Sequence, residues 1–339
     1  MSLIRHPKPQ RHSRKKLTSL NQNLSKFNPF MITLLLALIV TVTPVSSFSP
    51  PMYNIFNRVF NALEGKVASW KVNADLDSDA AKYAVGPDSD YSAKSKFDHS
   101  AWDNAMKKHV TPGLVDGITT NLVDYKAIAS DPDLETYCDQ LSNADLQLMQ
   151  DTPNELLALY INAYNALCIN HVIRYMKDNE GSLPKSVTET SPLKGTEIWD
   201  VDAGVIGGET LSLNDIEHKI LRSRWNEPRV HASIVCASAS CPNLRNEAFV
   251  PSKLNQQMDD QTQVWVGDKT KGIEVFLSDE GRVEQTFSRI FLWFKGDFDS
   301  YGGPVGFAKK FASNDVRQKL SYEEKDMKYF TYNWNLNTK

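Results

Sequence analysis

Two cysteines and a histidine lie within one short stretch of the chain. Cys236 and Cys241 have four residues between them, and His231 lies five residues before the first cysteine. A thiol can act as a nucleophile, bind a metal or form a disulfide, and a nearby imidazole can act as a general base. Because this loop can fold back, the two sulfurs can reach bonding distance. A disulfide is the default for such a pair in a secreted or lumenal protein, but the sequence leaves all three chemistries open.

A second histidine belongs to a predicted helix. The run Ser212-Leu213-Asn214-Asp215 matches a capping box and predicts a helix that continues through Arg224. On an α-helix, Asp215 and His218 lie one turn apart, so the carboxylate could orient the imidazole as a catalytic base requires. A structural role for this helix face is the alternative. Zinc bound by both histidines and both cysteines is a further alternative, but the spacing matches no common zinc pattern.

The segment that carries the cysteines also sets their chemistry. Val230 to Val235 is apolar and rich in β-branched residues, which predicts a buried strand. Strand alternation would point His231 and Cys236 to opposite faces and weaken them as a direct pair. Cys241 is the better candidate nucleophile, because Pro242 at a first helical position would place that thiol at a helix N-terminus.

Two asparagines stand out within the most apolar helix. The pattern predicts a largely buried helix from Pro153 to roughly Lys177, and Asn162 and Asn165 lie one turn apart on it. Buried amides require hydrogen-bond partners, so they are expected to clamp a loop or contact a ligand. We favour the loop.

The remaining pattern predicts an α+β fold. It indicates one domain of several long helices with short, irregular β-strands and a hairpin, not a doubly wound parallel sheet. Further helices are predicted from the motif His99-Ser100-Ala101-Trp102 to Val110 and over Asp133–Leu141, Ser252–Val266 and Val305–Ala312. A hairpin is predicted from Glu274–Leu277 and Val283–Phe287.

The N-terminal region differs in composition from the rest of the 339 residues. Residues 1–47 hold seven of the 38 Lys and Arg and no acid, and they place an apolar run, Phe30 to Val45, before small residues. This order predicts a signal peptide cleaved near Ser47, with a signal-anchor as the alternative. Met31 could be the true start. Residues 48–96 read as a linker or a transit-like segment. The linker reading rests on the small, polar and acidic composition of residues 73–96, and the transit-like reading on Ser47-Phe48-Ser49-Pro50, which loosely resembles the leader cleavage site of proteins imported into complex plastids.

Several motifs between residues 97 and 337 resemble, in order, the domain of unknown function 547 family. They include His99-Ser100-Ala101-Trp102, Tyr160-Ile161-Asn162-Ala163-Tyr164-Asn165-Ala166-Leu167, Leu211-Ser212-Leu213-Asn214-Asp215-Ile216-Glu217-His218, Cys236-Ala237-Ser238-Ala239-Ser240-Cys241-Pro242 and Tyr332-Asn333-Trp334-Asn335-Leu336-Asn337. The resemblance implies one α+β domain over residues 97–339 and no established activity. Tyr160 stands where relatives commonly have Trp. Val235 stands where Asn is common, so a hydrogen bond from that amide would be missing here.

The sequence favours a secreted or organellar domain that binds a ligand or partner in a cleft lined by cysteine and histidine. A cysteine-dependent hydrolase or acyl transferase with a thiol–imidazole pair is the alternative, and a metal- or redox-linked domain is another. The candidate site residues are Cys236, Cys241, His218 and His231, with Asp215, Arg229, Asn162 and Asn165 as orienting or binding groups. No metal ligand set or cofactor is predicted.

The partner is expected to be a small molecule or a protein. The region after the leader is acidic, which argues against nucleic acid. Membrane contact is expected only through an uncleaved leader. The localisation is the secretory pathway, extracellular or lumenal, or alternatively a complex plastid.

Overall fold

A computed structural model describes residues 50–74, 76–77, 80, 82–88, 95–192, 196–279, 281–320 and 327–339. The predicted leader, residues 1–47, lies outside these described residues. The chain divides into two units, Met1–Val67 and Ala68–Lys339. Helix Pro50–Ala74 crosses this boundary, and every other described element belongs to the second unit.

One long helix forms the centre of the second unit. This central helix spans Pro153–Asp178, and Pro153 occupies its first turn, where the missing N–H costs nothing. Apolar residues surround it on nearly all sides, and it packs against the helix Pro132–Ser142, the strand Asp202–Ile206 and the π-helix Asp215–Arg222. By length and composition it could cross a membrane, but 94% of its most apolar window is buried in the protein, as in the core helix of a globular domain.

The other helices are shorter. The α-helices are Ser100–His109, Tyr125–Ile128, Pro132–Ser142, Val230–Ser233, Leu254–Gly267, Ile290–Trp293, Gly303–Phe311 and Asn314–Lys319. Turns of 3-10 helix cover Leu146–Met149, Val187–Glu189, Ile198–Asp200, Pro251–Lys253 and Lys295–Tyr301. The predicted helices on either side of the cysteine segment are therefore confirmed, with ends that shift by a few residues.

Three small sheets complete the architecture. Val110–Val115 pairs with Ile118–Val123, and Asp202–Ile206 pairs with Glu209–Ser212, both antiparallel. The predicted hairpin is confirmed as Ile273–Leu277 and Val283–Phe287, and Met327–Tyr329 adds a parallel third strand. Separate small sheets among helices confirm the α+β class.

The turn of the first hairpin shows why its sequence folds as it does. Asp116 and Gly117 have φ angles of 51° and 81°. Both central residues of a two-residue turn of type I′ need positive φ, and Asp-Gly is among the sequences that tolerate it.

Two apolar cores lie in the second unit. The larger surrounds the central helix, and the smaller combines aromatic and aliphatic side chains from the C-terminal third. In the smaller core Trp265 and Phe291 stack at 4.6 Å, and Phe298 and Phe307 pack edge to face at 4.9 Å. This second core supports the helices that carry Trp293 and Asp297.

The predicted strand from Val230 to Val235 is wrong. Val230–Ser233 is a short α-helix, and the chain becomes extended only at Ile234. The Ser233 hydroxyl donates to the Arg229 carbonyl and the Ile234 N–H to the Val230 carbonyl, which closes the helical turn. Local β propensity is overridden here by tertiary contacts.

The predicted helix start at Pro242 is also wrong, since residues 242–250 are irregular. Cys241 therefore does not lie at a helix N-terminus, so no helix terminus is present at this position to activate its thiol.

The C-terminal segment, residues 327–339, runs across the loop between the two cysteines. The Ala239 N–H donates to the Asn335 carbonyl at 2.8 Å, and the Asn337 N–H donates to the Ala237 carbonyl at 3.0 Å. The Asn337 side chain also accepts a hydrogen bond from the buried Tyr125 hydroxyl. These bonds anchor the segment and place its aromatic side chains beside the cysteines.

Candidate functional site

A cleft of about 260 Å³ opens in the second unit, where the π-helix, the cysteine loop and the C-terminal segment meet. Most of its wall is aromatic or aliphatic, with a few polar side chains among them. The lining residues are Ala68, Lys71, Val72, Tyr164, Glu197, Trp199, Asn214, Glu217, His218, His231, Ile234, Cys236, Cys241, Ile290, Trp293, Phe294, Tyr332 and Trp334. The structure thus brings His218, His231 and both loop cysteines to one cavity.

Cys236 and Cys241 lie at disulfide distance, with their Cα atoms 6.3 Å apart. The hydroxyl of Tyr332 lies 3.2 Å from Cys241 Sγ and accepts a hydrogen bond from the Ser238 hydroxyl. Burial raises the pKa of Tyr332 well above its usual value, so this hydroxyl stays neutral. If the two sulfurs are bonded, neither is available as a nucleophile.

His231 is oriented by an acid that the sequence did not reveal. Its Nε2 atom lies 2.7 Å from Asp297 Oδ2, and its ring packs on Phe294 with the centroids 4.3 Å apart. The hydrogen bond to Nε2 leaves Nδ1 as the ring nitrogen available to the cleft. Asp297 lies in the 3-10 helix Lys295–Tyr301, 66 residues after His231. Because the two residues are so far apart in the chain, no local sequence pattern could have linked them.

Arg222 binds the same carboxylate. Its Nε and Nη2 atoms donate to the two oxygens of Asp297 at 2.7 and 2.8 Å. Burial by itself would raise the pKa of Asp297, but the hydrogen bonds from Arg222 and His231 outweigh it and hold the pKa well below the usual range. Asp297 is therefore a carboxylate at every physiological pH.

His218 contacts this network from the π-helix. Its Nδ1 atom lies 3.2 Å from Arg222 Nη1, and since a guanidinium can only donate, that nitrogen is the acceptor. The predicted orientation of His218 by Asp215 is wrong. Asp215 instead accepts hydrogen bonds from the Ser212 N–H and hydroxyl and pairs with Lys219, so its oxygens serve the start of the helix.

The π-helix explains why the predicted spacing failed. Hydrogen bonds in a π-helix join residues five apart, so the side-chain faces differ from those of an α-helix. Such wide turns occur frequently at functional sites, and this one directs both Glu217 and His218 into the cleft.

Asn162 and Asn165 hold backbone segments and do not line the cleft. Asn162 bonds to both the N–H and the carbonyl of Phe249. Asn165 accepts from the Val235 N–H at 2.8 Å and donates to the Ser233 carbonyl at 2.9 Å. The second amide therefore fixes the chain immediately before Cys236.

Arg229 lies outside the cleft lining. Its guanidinium pairs with Glu227 and Asp259 and donates to the Asn255 side chain. Burial by itself would lower the pKa of Arg229, but these acids raise it. Arg229 therefore belongs to a structural ion-pair network, and it is not one of the groups that orient side chains in the cleft.

Within the described part of the chain, no group of three or more His, Cys, Asp or Glu side chains is arranged to hold a metal ion. The zinc alternative has no assembled ligand set among these residues, since His231 is engaged by Asp297 and the two sulfurs lie at disulfide distance from each other.

The comparisons with known proteins identify a family. The family model described as "Protein of unknown function, DUF547" matches residues 146–266, which supports the resemblance to that family drawn from the sequence motifs. The matched region contains the central helix, the π-helix and the cysteine loop. No curated protein and no solved structure matches the chain.

Proposed function

We propose that this domain binds a small organic molecule in the cleft between the π-helix, the cysteine loop and the C-terminal segment. One observation carries the proposal: six aromatic side chains surround a cavity that also holds a few polar groups. These are Tyr164, Trp199, Trp293, Phe294, Tyr332 and Trp334. A concave, mainly apolar surface with a few convergent polar groups is typical of ligand sites.

A panel of neutral, cationic and anionic fragments tests this proposal. Binding would be followed by saturation-transfer NMR with the full chain and with Trp293→Ala, which removes one wall of the cleft. Phe276→Ala is the matched control, because Phe276 is an exposed aromatic residue on the hairpin and does not line the cleft. We expect some fragments to bind and to lose binding in Trp293→Ala alone. Absence of any Trp293-dependent signal would disprove the proposal.

A second candidate is a thiol–imidazole hydrolase or acyl transferase. The observation that favours it is an imidazole held by Asp297 in the cleft that both cysteines line. After reduction, His231 would accept the thiol proton as the sulfur attacks the carbonyl carbon of an ester, which forms a thioester and releases the alcohol. Water would then hydrolyse the thioester to the free acid and the thiol. The test is hydrolysis of p-nitrophenyl acetate with and without reductant. Activity that needs reductant and is lost in both Cys241→Ser and His231→Gln supports this candidate, and activity retained in either variant rejects it. A metal- or redox-linked role would rest on the same cysteine pair.

We further propose that the protein works in the secretory pathway or, alternatively, in a complex plastid. The basic, apolar and small segments of the leader support this, as does a cysteine pair at disulfide distance. N-terminal sequencing of the mature protein is the test, and a mature chain that begins at Met1 or Met31 would contradict cleavage.

A further inference from the structure

Glu217 is a buried carboxylate that opens into the cleft. Only 7% of the residue is exposed, although it lies on the wall of the cavity. Its Oε2 atom accepts a hydrogen bond of 3.3 Å from Tyr164, and no other described residue donates to it or forms an ion pair with it. A buried carboxylate normally has a cation or several donors, because burial of an unpaired charge is costly.

Two described cations at or beside the cleft, Lys71 and Arg222, already pair with other acids. Lys71 pairs with Glu197 at 2.6 Å, and Arg222 forms a two-pronged pair with Asp297. Both pairs are electrically neutral as units. Glu217 is therefore a carboxylate at this site for which the described residues supply no cation.

Aromatic rings form the neighbouring wall. The Trp334 ring lies 5.8 Å from Trp199, 5.9 Å from Trp293 and 4.4 Å from Tyr332 between ring centroids. All four rings are partly exposed and line the cavity. The faces of aromatic rings carry negative electrostatic potential and attract cations, and tryptophan does so most strongly.

We propose that the cleft recognises an organic cation with an alkylated ammonium head, for which Glu217 supplies the counter-charge and the Trp199, Trp293, Tyr332 and Trp334 rings supply the contact surface. This inference rests on the proposed ligand-binding function and specifies its ligand class. An alkylated ammonium suits both features at once, because its methyl groups pack on rings while its charge remains diffuse and weakly hydrated.

The dimensions of the cleft favour a small ligand. A cavity of about 260 Å³ lies just below the range of roughly 300 Å³ and above that holds drug-sized molecules. A head group with a short substituent matches this space.

The test compares two molecules of the same shape, choline and 3,3-dimethylbutan-1-ol, by isothermal titration calorimetry on the full chain. They differ in one atom, a charged nitrogen against a neutral carbon. We expect choline to bind at least about tenfold more tightly, the size of one strong electrostatic contact. Glu217→Gln should remove at least about tenfold of the choline affinity and change that of the alcohol by less than about twofold. Glu209→Gln is the control, because Glu209 is exposed and does not line the cleft.

The outcomes separate the inference from the function on which it rests. Equal affinity for the two molecules, or unchanged choline affinity in Glu217→Gln, overturns the inference while Trp293-dependent fragment binding still upholds the ligand site. Absence of all fragment binding overturns both. If Glu217→Gln fails to fold, the choline and alcohol comparison on the unaltered chain decides alone.

Discussion

Asp297 accepts hydrogen bonds from both His231 and Arg222, and the nearest distance to each is 2.7 Å. This carboxylate joins the π-helix Asp215–Arg222, the helix Val230–Ser233 and the 3-10 helix Lys295–Tyr301 at the edge of the cleft. A single side chain from the 3-10 helix Lys295–Tyr301 therefore fixes the orientation of the cleft imidazole.

We expect Asp297→Asn to lower the free energy of unfolding by about 3 kcal/mol, because Arg222 would keep a largely buried charge without its acid. Its folded pKa lies below the ordinary value near 3.9, so the carboxylate stabilises the protein above about pH 4 and loses that effect as the pH falls further. Urea unfolding at pH 7 measures the change. Asp299→Asn is the control, since Asp299 is exposed two residues away and should alter stability by less than about 0.5 kcal/mol. Equal losses of unfolding free energy in the two variants would show that the hydrogen bonds of Asp297 do not stabilise the fold.

Buried histidines should make the protein sensitive to mild acid. Burial lowers the pKa of His99 to about 4, and burial together with Arg174 lowers that of His171 to about 3. The unfolded chain takes up these protons near pH 6.5 and the folded chain does not. Each histidine therefore lowers the free energy of unfolding by up to about 1.4 kcal/mol per pH unit between pH 6.5 and its folded pKa.

The variant His99→Gln tests this sensitivity. Urea unfolding at half-unit intervals from pH 7 to 4.5 should show a shallower loss of stability in the variant than in the parent chain. Parallel curves would show that His99 does not titrate on unfolding.

Lys271 is expected to oppose stability at neutral pH. The residue is 2% exposed, its Nζ atom donates to the Ala239 carbonyl at 3.3 Å, and burial lowers its pKa to about 7. The unfolded lysine holds its proton up to about pH 10.4, so the stability of the parent chain should rise between pH 7 and 10. Lys271→Met should raise the free energy of unfolding by about 2 kcal/mol at pH 7 and flatten this rise. The exposed Lys269→Met is the control, and a destabilised Lys271→Met would mean that the ammonium is needed.

The cysteine pair predicts a defined labelling pattern. In non-reduced native protein we expect no rapid alkylation at pH 8, since burial raises the pKa of Cys138 to about 11 and that of Cys168 to about 12. After reductant, Cys236 and Cys241 should become labelled. Closing so short a loop is worth only about 2 kcal/mol, so the reduced domain should remain folded. Peptide mass spectrometry identifies the sites, and rapid labelling of Cys241 without reductant would exclude the disulfide.

The sequence predicted the elements whose signal is local. The central helix follows from an apolar pattern twenty-odd residues long, and the hairpin from two alternating runs around Glu280-Gly281. The segment Val230 to Val235 failed because six residues carry too little information to outweigh the contacts around them. Asn165 and the Arg229 carbonyl, both outside that run, determine its shape.

The site was predictable only in part. The two histidines and the cysteines stood out by residue type, and the structure places all four on one cleft. Asp297 and Glu217 did not stand out, because an acid is common at any surface position. Their importance depends on burial and on partners far away in the chain, neither of which leaves a local pattern.

The pairing of residues 333–337 with the cysteine loop bears on the order in which the molecule forms. Hydrogen bonds here join residues more than ninety positions apart, such as Tyr332 and Cys241. Contacts of such long range require closure of a large loop of chain and form late in folding. The central helix can therefore be in place well before Tyr332 and Trp334 arrive to complete the wall of the cleft. A chain still in the course of folding would hold its core but have no competent site, so ligand capture reports that folding is complete.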